Sequence, residues 1–141
     1  MKTRVVLLCC ALIALCGLGV AQKANVVTVP APHTSATSGK RMYLAYCATC
    51  HGKEGRGDGP AAGALKAPPA DLTTLSKRNN GKFPWVQVVN TITGPEGAAA
   101  HGSKEMPVWG PIFMTMEHQH ESGARLRVAN LADFIKSMQQ K

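Results

Sequence analysis

Apolar residues recur at helical spacing in three stretches of this chain, and nowhere do they alternate over the length of a strand. Met42, Tyr43 and Tyr46 give an apolar stripe to a helix predicted from about Gly39 to Cys50, with Ser38 as its N-cap. Pro84 suits a first helical position, and Trp85, Val88, Val89 and Ile92 share one face of a helix ending near Gly94. Leu126, Val128, Leu131, Phe134, Ile135 and Met138 mark a longer helix within Gly123 to Gln139, and a short one is expected between Pro111 and His120. Asp71 is placed to cap a short turn through Leu75, and Asn79-Asn80-Gly81 reads as a turn. No internal repeat is present, so the pattern predicts an all-α fold of one domain.

The N-terminal region follows a different rule. A basic start, Met1-Lys2-Thr3-Arg4, precedes an apolar run of 16 residues from Val5 to Val20, and Gly19-Val20-Ala21 supplies small residues for cleavage. Residues 1–21 therefore read as a secretory signal peptide. An uncleaved anchor is the alternative, with a run shorter than a spanning helix normally needs. Acylation at Cys16 is disfavoured by the bulky Leu15 before it. Residues 22–37 hold Ala, Val, Thr, Pro and Ser without a helical period and are expected to form a flexible linker, leaving 38–141 as the folded domain.

Composition adds two constraints. Lys and Arg total 16 against 8 Asp and Glu, and without Lys2 and Arg4 the balance stays basic at 14 against 8. Such a surface suits an acidic docking partner. Nucleic acid is a poor fit, because the lysines are scattered and not interleaved with stacking aromatics. With only 5% aromatic residues the core is modest, and a bound cofactor would supply missing apolar surface.

The chemistry concentrates in Cys47-Ala48-Thr49-Cys50-His51. Three of the five cysteines fall in the signal segment, so Cys47 and Cys50 are the only thiols left in the expected mature chain. On a helix, spacings of three and four residues put both sulfurs and the imidazole on one face, the pattern of covalent c-type haem attachment. The thiols become thioethers and neutral His51 binds the iron. A zinc site would need a second ligand pair, and a thioredoxin-like dithiol a βαβ setting. Here a loop rich in glycine follows, Gly52 to Pro60, expected to take positive φ and approach a ligand closely. It lacks the strand before it and the Lys-Ser/Thr ending of a phosphate cradle.

A second ligand decides what such an iron does. Met106 is the candidate, since Pro107 restricts it to an extended backbone and stiffens the loop from Pro95 to Gly110 that presents its sulfur. A thioether raises the reduction potential. His101 offers a bis-histidine alternative, and an open site is the third. Met114 and Met116 are weaker candidates on a helix, Met42 and Met138 read as core fillers, and His118 and His120 as surface residues.

These motifs together resemble a single-haem class I c-type cytochrome of the bacterial respiratory-chain type, over residues 38–141. The resemblance implies an all-α fold of three to five helices around one covalently attached haem c, with the first and last helices crossing. Gly39, Tyr43, Leu131 and Phe134 stand where the family places that crossing, and Pro68, Pro69, Pro107 and Trp109 where it supports the haem pocket. It also implies a proline carbonyl accepting the hydrogen bond from His51, with Pro68 or Pro69 favoured over Pro60. The implied function is one-electron transfer in the periplasm without enzymatic activity. Basic residues such as Lys53, Arg56, Lys66 and Lys104 would dock acidic faces of dehydrogenases, oxidases or membrane cytochrome complexes. Rival readings are a permanent haem subunit of such a complex, and a haem enzyme or gas sensor with an open distal site. Membrane contact is expected only if residues 1–21 are retained.

Overall fold

The computed structural model describes residues 31–94 and 106–140. The expected signal segment, residues 22–30 of the expected linker, and His101 and Lys104 lie outside the described residues. The helices are α1 (Gly39–Tyr46), α2 (Ala48–His51), α3 (Leu75–Arg78), α4 (Trp85–Thr93), α5 (Trp109–Met116) and α6 (Glu121–Ser137). Two single 3₁₀ turns, Ala62–Ala64 and Leu72–Thr74, lie between α2 and α3, and no strand occurs among the described residues. The all-α expectation therefore holds and is consistent with a class I cytochrome c fold. The helix count among the described residues exceeds the expected three to five because two of the six, α2 and α3, are single turns of four residues.

Local chemistry sets most boundaries. Ser38 Oγ accepts the Arg41 amide at 3.3 Å and starts α1. The single helix expected from Gly39 to Cys50 instead divides at Cys47, whose φ of −110° with ψ of −36° is a distorted helical conformation. Pro111 sits in the first turn of α5, where an amide would have no helical partner anyway. The short helix expected between Pro111 and His120 is α5, which starts two residues earlier and stops at Met116, because His118 and Gln119 take positive φ and Gln119 N–H returns to the Met114 carbonyl at 2.8 Å.

Helix α6 is the element against which α1, α4 and α5 all pack. Tyr43, Phe113, Met42 and Leu131 are fully buried there, each contributing roughly 1.5–3 kcal/mol of burial. At the α1–α6 crossing Gly39 lies against the Asn130 carbonyl, and the rings of Tyr43 and Phe134 stand 5.3 Å apart, tilted by 50°.

The described segment ahead of α1 is hydrogen-bonded to the helices. Arg127, 4% exposed, pairs with Glu117 at 2.6 Å and donates to the Thr34 carbonyl at 2.8 Å. Tyr46 Oη donates to the Pro32 carbonyl at 2.7 Å, and Asn130 Nδ2 to that of Ala36 at 2.8 Å. A buried guanidinium must satisfy its donors, and Thr34 supplies acceptors to Arg127, while Pro32 and Ala36 accept from Tyr46 and Asn130.

Candidate functional site

The Cys-x-x-Cys-His stretch spans the junction of α1 and α2. Although the helix breaks at Cys47, the Cys47 carbonyl accepts both the Cys50 amide (3.2 Å) and the His51 amide (2.9 Å), so helical spacing persists through the motif. Cys47, Cys50 and His51 consequently line one cavity of about 330 Å³, within the usual range for small-molecule sites. Cys47 and Cys50 form no disulfide with one another.

The glycine-rich loop wraps the carboxyl end of α2. Gly57 N–H donates to the His51 carbonyl at 2.8 Å, Gly59 N–H to Cys50 at 3.1 Å and Ala61 N–H to Thr49 at 2.9 Å. These bonds satisfy carbonyls that a helix end leaves without partners. The loop's glycines approach the chain closely: a β-carbon on Gly57 (φ +82°) would meet the Pro69 carbonyl oxygen at 2.4 Å, and one on Gly59 the Thr49 carbonyl oxygen at 2.4 Å. Tyr43 Oη, buried, donates to the Gly52 carbonyl at 2.7 Å and ties the loop to the core.

His51 Nδ1 lies 3.0 Å from the carbonyl oxygen of Ala70. A carbonyl only accepts, so Nδ1 carries the proton and the lone pair falls on Nε2, the tautomer a metal-binding imidazole needs. The acceptor is neither Pro68 nor Pro69, as the resemblance implied, nor Pro60. Pro69 turns its carbonyl toward Gly57, and the next residue in the extended run supplies the oxygen.

The same cavity is lined by Met106, half-buried, with Pro107 and Trp109. Trp109 is held by its neighbours, its ring 4.9 Å from Tyr46 and 5.7 Å from Phe113. Pro68 and Pro69 also line the cavity. Met114 and Met116 do not, and Met116 Sδ faces the Tyr46 hydroxyl at 3.7 Å; His118 and His120 are exposed.

Periodicity alone missed Leu65, Leu72 and Leu75, half-buried on the cavity wall from a stretch with no regular pattern. Three leucines within a run otherwise rich in proline, alanine and threonine were the available signal. It also missed Gln87 and Thr91, which line the cavity from α4 beside Val88 and Ile92; each pair is spaced i, i+4. Arg78 lines the cavity too.

Electrostatics separate the groups. Burial, with a smaller effect from Cys50, pushes the Cys47 thiol up to about 12. Burial likewise raises the Tyr43 phenol well above its ordinary value, keeping it a hydrogen-bond donor. The Thr73 hydroxyl, donating to Asp71 Oδ1 at 2.6 Å, is the largest influence holding the Asp71 carboxyl below its usual range.

Two thiols on one helical face, an imidazole in the ligating tautomer, a thioether lining the same cavity and apolar walls form a donor set that fits a haem. Among the described residues, no group of three or more His, Cys, Asp or Glu stands where it could hold a metal ion. No described helix is long and apolar enough to cross a membrane. A family model described as "Cytochrome C oxidase, cbb3-type, subunit III" matches residues 34–119, more than half of the chain. Neither the curated proteins nor the solved structures gave a match.

Proposed function

Because the chain belongs to this family of c-type cytochrome domains, we propose that it is an exported one-electron carrier with a single covalent haem c. The observation that carries this reading is the cavity shared by Cys47, Cys50, His51 and Met106. When bound, the haem supplies an iron that alternates between ferric and ferrous states.

The protein does the rest. Cys47 and Cys50 hold the porphyrin through thioethers, so it cannot dissociate during a docking cycle. His51 Nε2 and Met106 Sδ would hold the iron, the thioether favouring its ferrous form and a filled ligand set excluding exchangeable ligands. Leu65, Leu72, Leu75, Val88 and Ile92 line an apolar cavity and limit water, which also raises the potential. The chain is in this reading no enzyme by itself. Residues 1–21 direct export to the periplasm, and exposed Lys53, Arg56 and Lys66 guide brief contacts with acidic partner faces.

Absorption spectra of the haem-loaded protein test the ligand set. We expect the weak red band of a methionine sulfur on ferric haem, lost in Met106→Ala. Retention of the band in that variant, or its absence in the parent, would exclude His51/Met106 ligation. Rapid carbon monoxide binding by the reduced parent protein would move the open-site reading ahead.

The family description favours a second reading, a haem subunit held in an oxidase complex. Co-purification from detergent-solubilised membranes at stoichiometric ratio supports the subunit; recovery in the soluble fraction supports the free carrier.

A further inference from the structure

We propose that Gln139 is a positioning residue for His51, acting through the turn that carries the Ala70 carbonyl; this rests on reading His51 as the axial ligand. Ala70 lies in extended backbone between Pro69 and the Leu72–Thr74 turn, outside any helix. No helical ladder sets where its carbonyl stands. Its place relative to His51 depends on whatever anchors its two flanks.

The preceding flank is anchored by shape. Consecutive prolines restrict residues 68 and 69, and Gly57 packs against the Pro69 carbonyl. The following flank is anchored by hydrogen bonds. Leu72 N–H donates to the Gly55 carbonyl at 2.7 Å, and Arg78 donates to the Asp71 carbonyl at 2.6 Å. Arg78 is exposed, so water competes for that bond and it restrains weakly.

The remaining anchors come from just beyond α6. Gln139 Nε2 donates to the carbonyls of Leu72 (2.6 Å) and Ile135 (3.0 Å), while its Oε1 accepts the Ser76 amide at 2.8 Å. One half-buried amide thus clamps both sides of the turn to the end of α6. Ser76 N–H belongs to the first turn of α3, where no helical acceptor exists, so removing Gln139 leaves two backbone groups without their partner. Gln140 adds a lesser tie, its amide to the Thr73 carbonyl and its side chain to Thr73 Oγ1, both at 2.9 Å.

The chemical consequence lies on His51. A firm Nδ1–H···O=C bond makes Nε2 a stronger donor, which favours the more highly charged ferric iron and lowers the potential. Loosening the clamp weakens that bond, so the potential rises.

The test uses the full-length haem-loaded protein and the variants Gln139→Ala and Gln139→Met, the second nearly matching the side chain in length without its hydrogen bonds. Glu117→Gln serves as a destabilised control remote from the clamp. We expect both Gln139 variants to show a more positive midpoint potential, with hydrogen exchange at His51 Nδ1 faster by roughly fivefold or more. The axial-ligand spectrum stays unchanged, and Glu117→Gln shifts neither readout. If the Gln139 variants lose stability yet keep the parent's potential and exchange rate, Gln139 only staples the fold and the proposal is overturned. If the His51 ring signals of the parent lack the hyperfine shift of an iron ligand, the underlying site assignment fails, and the proposal with it.

Discussion

A β-carbon on Gly39 would lie 2.1 Å from the carbonyl oxygen of Asn130, so α1 and α6 cross with their backbones nearly touching. That crossing carries Tyr43 onto Phe134 and, one turn later, presents Cys47 to the cavity. A relationship between two residues on helices far apart in sequence therefore sets where the motif stands.

Gly39→Ala should destabilise the protein. The helix-propensity gain of about 0.5–1 kcal/mol is smaller at a first helical residue. The overlap meets backbone and costs roughly 1–3 kcal/mol. Thermal melting of the holoprotein should show a midpoint lowered by several degrees, and a raised midpoint would mean that the crossing can relax.

Arg127 and Glu117 should respond unequally. Glu117→Ala leaves a buried guanidinium without its carboxylate and should cost toward the lower end of roughly 3–5 kcal/mol, since Glu117 is itself a quarter exposed. Arg127→Met removes the charge and should cost less, although the Thr34 carbonyl loses a donor. Urea unfolding ranks the two, and limited proteolysis should cut both variants within residues 31–37 faster than the parent.

Asp71 makes stability depend on pH in one direction. Its folded carboxyl titrates below the ordinary 3.8, first because of the Thr73 hydroxyl bond and also because of the Thr73 amide and the charges of Arg78 and Arg56. A depressed folded value stabilises the protein above the unfolded value, and the contribution fades as pH falls through the folded one. Asp71→Asn, which keeps an acceptor without the charge, should be less stable than the parent at neutral pH. The two should converge as acid is added below about pH 4. Parallel stability curves across that range would refute the assignment.

Electron transfer with an acidic partner should slow as salt is added. Between about 0.01 M and 0.15 M ionic strength the screening length falls from roughly 30 to 8 Å, so steering by Lys53, Arg56 and Lys66 is largely lost. Stopped-flow rates that do not change over this range would remove the steering role.

The parts of the site legible in the sequence are those written in adjacent residues. Cys47, Cys50 and His51 carry their relative placement in helical spacing, and Met106-Pro107 carries its backbone restriction in its own chemistry. Ser38 as a cap, the turn at Asn79-Asn80-Gly81 and the helices α4 and α6 were readable for the same reason. What was not readable involves partners distant along the chain. Periodicity does not say that Gln139 meets Leu72, that Arg127 reaches back to Thr34, or that the carbonyl facing His51 belongs to Ala70 and not to a proline beside it. The leucines at 65, 72 and 75 follow no repeat, so their shared wall becomes visible only once the chain folds around it.

The sequence by itself determined the helical class, the Cys-x-x-Cys-His motif and the candidate ligands, because each depends on spacing within a turn or two of helix or on the covalent nature of one residue. Tertiary structure alone decided which backbone carbonyl orients His51, which helix backbones touch, and that residues 32–36 are bound to α6 and α1. Those outcomes depend on burial. A guanidinium, an amide or a carbonyl removed from water must take whichever partner the packed chain brings within reach, and that choice exists only after the chain has folded.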